Sequence, residues 1–515
     1  MNPALPRSPA GPYNPWMVAV MVALAPLMEV LDTTIANVSL PHIAGSLGVS
    51  QSESTWVLTS YLVSNSIILP ISGWLANVLG RKRFFQISTA LFIISSVLCA
   101  TSTSLTMLVV ARALQGLGGG GLAPVAQAMM ADSFVPEKRP QVFALFGFTV
   151  IVAPATGPVL GGWLTDAFSW HWIFLINLPV GLIALTLTSI FVSEPLLLRQ
   201  ERKALLQSGG FKLDYVGLAL VAIGFASLQM FLDKYELDDG FASSFIIAAF
   251  AVAIATLSFL ILWEWQHEHP VVNVRLLFTR NFGICCIVSF MISFCFLSST
   301  QLLPQMAQTL LGYTSQTSGL SLALGGVVTL CFMPVSAYIT GRIVAPRFLM
   351  AGGLIQMGVA LISDSHFSPY MSFDQLTMAR VLQVFAMPFI FVPMGASSFV
   401  GVNPKLFGDA AALSNQMRNI GGSMGISFAT NMLTWRSQFH HARLAESINP
   451  FRPLPPGMSL GQLDAAVQFQ AGFISYLDVF HILGILALVV WPIALFLKAP
   501  APHPTAPQIS GRRAA

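Results

Sequence analysis

Long apolar blocks, rather than amphipathic stripes, pattern this 515-residue chain. A membrane helix needs roughly 20 mostly apolar residues. Blocks of that length start near Trp16, Thr55, Phe84, Leu105, Val142 and Trp172. Two more start near Asp214 and Ala242, and six near Phe282, Ser315, Phe348, Gln375, Ala410 and Tyr476. The pattern predicts an all-α integral membrane protein of fourteen transmembrane helices, an even number that puts both termini on one side. Ala23-Leu24-Ala25 has the look of a cleavage site, but Pro26 follows it and the apolar run before it is short. The segment reads as an uncleaved first span.

Basic residues test the count independently. Loops on the terminal side hold the clusters Arg81-Lys82-Arg83, Lys138-Arg139 and Arg199, Arg202, Lys203, Lys212, among others. The opposite loops hold only Lys234, Arg436, Arg443 and Arg452 out of 25 Lys and Arg. Positive charge favours the cytoplasm, so both termini are expected there.

The two ends of the chain repeat each other. Pro70-Ile-Ser-Gly-Trp-Leu returns as Pro334-Val-Ser-Ala-Tyr-Ile, and Ala111-Arg112-Ala-Leu-Gln115 returns as Ala379-Arg380-Val-Leu-Gln383. Recurrence in order at nearly one offset, 268 residues for the second pair, argues for duplicated halves. The expected domains are a six-helix half over 1–200, two inserted helices over 201–270, a second six-helix half over 271–500 and a cytoplasmic tail over 501–515. Two such halves facing a midplane site is a transporter arrangement.

Composition sharpens the picture by what it excludes. Only 9% of residues are charged and mean hydropathy is +0.72, against about 25% charged in a soluble domain. The net charge of +4 is too small to suggest a nucleic-acid partner. The five cysteines lie in apolar segments without CxxC or Cys/His spacing, so no disulfide or metal site is expected.

Four motifs carry a family resemblance. They are Leu31-Asp32-Thr33-Thr34-Ile35-Ala36-Asn37 in the first span, Gly73-Trp-Leu-Ala-Asn77-Val-Leu-Gly80-Arg81-Lys82-Arg83 before the third, Arg112-Ala-Leu-Gln115-Gly116 in the fourth, and Ala153-Pro-Ala-Thr-Gly157-Pro158-Val-Leu-Gly161-Gly162 in the fifth. Together they resemble the major facilitator superfamily, and within it the fourteen-span drug:proton antiporters of the EmrB/QacA type. The resemblance implies the major facilitator fold and proton-coupled efflux of lipophilic drugs by alternating access. It implies a gating role for Gly73, Asn77, Gly80, Arg81, Lys82 and Arg83, and an antiport motif at Gly157, Pro158, Gly161 and Gly162. It also implies a periplasmic membrane-fusion adaptor and an outer-membrane channel as partners, with the polar connection from Arg436 to Ser475 as the docking loop. Asn77 stands where the motif usually has an acid, which puts the usual gating ion pair in doubt. A major facilitator carrier for a metabolite is the alternative.

Ionisable groups at membrane depth are functional hypotheses by default. Glu29 and Asp32 lie three apart in the first span and share a helix face. Burial disfavours a carboxylate's charge and a nearby cation favours it, so a carboxylate exposed alternately to two compartments can load and drop a proton. Asp32, assisted by Glu29, is expected to carry the coupling proton; the resemblance assigns Arg112 to the same task. The alternative is that Asp32 only packs the end of its span. Arg418, with Asn415, Gln416 and Asn419, forms a polar stripe that either lines the substrate cavity or makes a structural pair. Arg380 reads as a snorkelling residue at the mouth of its span. Asp478 and His481 are either a proton relay or a wet helix end.

Gly157-Pro158 predicts a kink in the fifth span, and Gly116/Gly120 and Gly157/Gly161 are small-xxx-small packing pairs. No lysine follows a glycine, so the phosphate loop of an ATP-driven pump is absent; the resemblance implies a proton gradient as the energy source, and no cofactor is expected. Gly421-Gly422-Ser423-Met424-Gly425 matches the GxSxG of serine hydrolases, with His481 as a conceivable base. That motif needs a strand-to-helix turn, and here it lies in an apolar helix. The chain is not expected to be an enzyme.

Overall fold

The computed structural model describes residues 14–192, 200, 214–235, 240–267, 270–446, 448 and 459–498. The helical units are α1 (Pro15–Leu47), α2 (Trp56–Leu79), α3 (Arg81–Ala100), α4 (Leu105–Ser133), α5 (Arg139–Ala167), α6 (Trp172–Phe191) and α7 (Tyr215–Lys234). The remainder are α8 (Ser244–Gln266), α9 (Arg280–Thr309), α10 (Ser315–Ile339), α11 (Pro346–Asp364), α12 (Phe373–Ser398), α13 (Phe407–Glu446) and α14 (Leu460–Leu495). Twelve of these meet the length and apolarity of a membrane span. The other two, α5 and α13, are 29 and 40 residues long. Each begins within a few residues of an expected block.

Capping explains several starts. Ser104, Thr314, Ser372 and Ser459 each accept a hydrogen bond from the backbone N–H three residues on, satisfying a donor that the first helical turn leaves free. Between α2 and α3 the chain reverses at Gly80, whose φ of +93° few residues other than glycine adopt.

α1 packs along α5, and α9 along α13, the corresponding pair in the second half. The two largest contacts between the halves are α2 on α13 and α5 on α10, with α4 on α13 and α5 on α12 beside them. The repeat relates α2 to α10 and α5 to α13, so the two largest contacts are copies of one another. At the end holding the Gly80 turn the halves touch backbone to backbone. A Cβ on Gly73 would lie 2.6 Å from the Asp409 nitrogen. The helix α7 packs on α2, α13 and α8, while α8 touches little besides α7. The face of α8 carrying Ile247, Ile254, Ile261 and Leu262 is open, as lipid contact requires.

The connection expected between Arg436 and Ser475 is largely helical. α13 continues to Glu446 and α14 starts at Leu460, because the polar residues there keep good helix propensity. Residues 447 and 449–458 lie outside the described residues, as do the tail over 501–515 and the segment 201–213.

Candidate functional site

Five helices converge on Asp32. From α4, Arg112 Nη1 donates to Asp32 Oδ2 at 2.5 Å, and Gln115 Nε2 donates to Asp32 Oδ1 at 2.9 Å. From α6, Asn177 Nδ2 donates to the same Oδ1 at 2.5 Å. Both amides also donate to Ser96 Oγ of α3, at 2.8 and 2.9 Å. Gln115 Oε1 accepts from Arg112 at 2.7 Å, and Arg112 Nε donates to the Val57 carbonyl of α2 at 3.1 Å. The Tyr61 ring lies 4.4 Å from the guanidinium carbon and the Phe174 ring 5.5 Å. Asp32 is 2% exposed and Arg112 0%.

The sequence pattern makes this meeting possible. Arg112 and Gln115, three apart, share a helix face, and glycines follow at 118–121. A Cβ at Gly118 would meet the Phe92 nitrogen at 2.7 Å, and one at Gly120 the Asn65 carbonyl at 2.7 Å. α4 can therefore wedge between α2 and α3 and bring the cation to the carboxylate. An ion pair so buried survives only when much of its remaining hydrogen-bonding capacity is met; the two amides and the Val57 carbonyl supply partners, while Arg112 Nη2 has none among the described residues. Asp32 therefore anchors a network rather than capping a helix end. Asn177 and Ser96 were not legible as partners, since they reach the site from other helices.

Glu29 stands apart from this cluster. Its Oε1 accepts from Asn65 Nδ2 at 3.0 Å, and Oε2 has no hydrogen-bond partner among the described residues. Arg418, on α13 of the other half, acts on Glu29 electrostatically without an ion pair within 4 Å. Arg418 donates to Asn415 Oδ1 at 2.6 Å, and Asn415 donates to Gln127 Oε1 of α4 at 2.7 Å. The polar stripe thus spans the gap between halves. Gln416 is fully buried with neither amide atom hydrogen-bonded among the described residues, while Asn419 is half-buried beside Arg418.

At the loop 2–3 end, Asn77 joins a contact between the halves. Asn77 Nδ2 donates to Asp409 Oδ1 of α13 at 3.3 Å, and Arg81, itself buried, pairs with Asp132 and reaches the Pro404 carbonyl. Lys82 donates to the Ser189 carbonyl at 2.7 Å, and Arg83 is exposed. The antiport motif faces the first span: Gly157 lies against Thr34, and a Cβ on Gly161 would be 3.1 Å from Ile35. α5 remains helical through Gly157-Pro158, and nothing stands within 4 Å of a Cβ on Gly162.

Two expectations are corrected. Arg380 does not snorkel: it is 3% exposed, donates to Gln383 Oε1 at 3.1 Å and to Thr300 Oγ1 at 2.9 Å, and lies over the Phe296 ring. Its polar partners inside the half hold it better than a distant interface would. Asp478 does not pair with His481. Arg436 and His440 of α13 hold it at 2.8 and 2.7 Å, and His481 instead meets Ser365. The GxSxG segment lies inside α13, where Gly421 and Gly425 pack on the backbone of Phe290 and Phe294. Ser423 is hydrogen-bonded with Gln229 of α7 at 3.2 Å. A cleft of about 660 Å³ opens between the ends of α9, α13 and α14, lined by Thr309, Ser437, His441 and Gln468. It lies away from Asp32, whose cluster is filled by its own side chains.

Comparison with known proteins gives a consistent picture. Residues 22–426 match the profile of the Major Facilitator Superfamily. The chain is 38% identical over 438 residues to the multidrug export protein EmrB of Escherichia coli (strain K12), covering 85% of this chain and 84% of EmrB. It is 33% identical over 496 residues to the fatty acid resistance protein FarB of Neisseria gonorrhoeae, covering 94% and 96%. The crystal structure of the human organic anion transporter MFSD10 (TETRAN) superposes with a TM-score of 0.62 over 94% of this chain and 100% of that one, at 15% identity.

Proposed function

Given that the chain belongs to the Major Facilitator Superfamily, we propose that it is a multidrug exporter that exchanges lipophilic drugs for protons across a bacterial inner membrane. The buried Asp32–Arg112 pair carries this reading. A protonated Asp32 no longer needs its cation, and a deprotonated one does, so loading and unloading the proton changes the packing of α1 against α4. That coupling is what biases two alternating states. The halves 1–200 and 271–500 rock about the α2–α13 and α5–α10 contacts, with the pair over 201–270 attached at α2 and α13. Both termini lie in the cytoplasm, so the Asn77–Asp409 contact closes the cytoplasmic side.

Drug export is supported by the name of EmrB, the 38% identical relative. Acidic lipophiles belong to the same cargo. Arg418 supports this from the gap between halves, as does the name of FarB. The helical extensions of α13 and α14 beyond Arg436 and before Ser475 support docking of a periplasmic adaptor that leads to an outer-membrane channel.

Dye efflux from cells expressing the protein, with and without a protonophore, tests the reading. Efflux that stops with the protonophore supports it. Efflux indifferent to the gradient points to a uniporter, and failure to move any lipophilic dye points to a metabolite carrier.

A further inference from the structure

The Asp32 cluster has a counterpart in the second half, and the offset of 268 residues read from the repeat relates four of its members. Arg112 corresponds to Arg380, Gln115 to Gln383, Asp32 to Thr300 and Ser96 to Asp364. All four counterparts touch. Gln383 Nε2 donates to Asp364 Oδ2, Gln383 Oε1 accepts from Arg380 Nη1, and Arg380 Nη2 donates to Thr300 Oγ1. The Thr300 hydroxyl itself donates to the Phe296 carbonyl at 2.6 Å. Carboxylate and hydroxyl have exchanged places. In the first half the acid is on the first helix and the hydroxyl on the third; in the second half the hydroxyl is on the first and the acid on the third.

The exchange changes the chemistry. Asp32 meets its arginine directly and accepts three hydrogen bonds, two from amides. Among the described residues the Asp364 carboxylate accepts from Gln383 alone, and no ion pair within 4 Å joins it to Arg380. Asp364 is 2% exposed, and Arg380 Nε has no partner among the described residues. A buried carboxylate and a buried guanidinium are thus bridged by one amide rather than paired. A carboxylate bridged in this way can take a proton as it stands, and can release one when the cation swings to it.

We propose that Asp364 is a second proton-binding carboxylate, serving the C-terminal half as Asp32 serves the N-terminal half. Arg380, Gln383 and Thr300 are its positioning residues. The carboxylate oxygen takes the proton and becomes a carboxyl; release returns the proton to water on the opposite side. Asp364 is the last residue of α11, at the end away from Arg342 and Arg347, so its access is from the periplasm. Other ionisable groups on the packed elements are His366 and His481, which meet at Ser365, Asp374 at the exposed start of α12, and Tyr476 and Asp478 on α14. Asp478 is occupied by Arg436 and His440.

This proposal rests on the proton-exchange reading above, and one experiment separates the two. Tetraphenylphosphonium is added to the purified full-length protein in weakly buffered detergent, and the protons released are counted. Asp32→Asn and Asp364→Asn are each expected to release about one proton fewer per protein than the unaltered chain. An Asp364→Asn protein that releases as many as the unaltered chain overturns the second site and leaves the exchange reading intact. An unaltered chain that releases none overturns the exchange reading itself. A hydrophobic carbodiimide, which attacks protonated buried carboxyls, gives a test without substitution. Mass spectrometry is expected to find Asp364 labelled, with tetraphenylphosphonium protecting it; an Asp364 never labelled from acid to neutral pH overturns the proposal.

Discussion

Asp32 and Arg112 meet at 2.5 Å, 80 residues apart in sequence and with neither side chain open to solvent. Removing one partner of such a pair leaves an uncompensated buried charge and costs about 3–5 kcal/mol, whereas replacing both by neutral groups is often close to neutral. Arg112→Ala is therefore expected to lower the thermal unfolding midpoint strongly. Asp32→Asn combined with Arg112→Gln recovers most of the loss. A double variant as unstable as Arg112→Ala alone contradicts the pairing as the source of the cost.

The glycines divide into two kinds. At Gly120 even a methyl group would meet the Asn65 carbonyl at 2.7 Å, so Gly120→Val forces α4 away from α2. Overpacking of this kind costs about 1–3 kcal/mol, with loss of transport alongside. Gly162 has open space around it, so Gly162→Ala is expected to leave stability unchanged or raise it by up to about 1 kcal/mol. Thermal unfolding and dye efflux on both variants check the contrast.

The three basic residues of loop 2–3 are likewise unequal. Arg81 is buried against Asp132, while Arg83 is exposed. Arg81→Gln is expected to slow transport and cost about 3–5 kcal/mol, and Arg83→Gln to stay within about 0.5 kcal/mol of the parent. Equal effects of the two substitutions in an efflux assay and an unfolding assay contradict the buried role of Arg81.

Glu29 faces the gap between halves, with one oxygen free of hydrogen bonds among the described residues. Once ionised, a carboxylate there attracts a cationic drug by roughly 1 kcal/mol or more. Glu29→Gln is expected to raise KM for a cationic dye about fivefold while sparing a neutral one, and to slow rather than abolish gradient-driven uptake. An equal rise for both dyes contradicts a charge-based role.

Much of this could be read from the chain because lipid imposes simple rules. Block length gave the helix starts apart from that of α14, which begins at Leu460 rather than near Tyr476. The motifs singled out Asp32, Arg112 and the loop 2–3 residues Asn77 and Arg81, which the structure finds in contact with other helices. What escaped depended on where helices meet. Asn177 and Ser96 look like ordinary polar residues in apolar helices until α3 and α6 bring them to one carboxylate. Arg380 looks like a boundary residue when its own span is read alone. The repeat held the remedy, since the 268-residue offset applied to Ser96 leads to Asp364. The helical connection beyond Arg436 escaped because proline and polar residues near 450–456 suggested a loop along its whole length.

Proteoliposomes with an imposed pH gradient test the central claim, that Asp32 carries the coupling proton, most directly. Drug uptake is measured for the unaltered protein and for Asp32→Asn, each with the gradient and under drug-for-drug exchange without it. Asp32→Asn is expected to lose gradient-driven accumulation and to retain exchange, because the drug path remains while the proton carrier is gone. Full gradient-driven accumulation by Asp32→Asn contradicts the account.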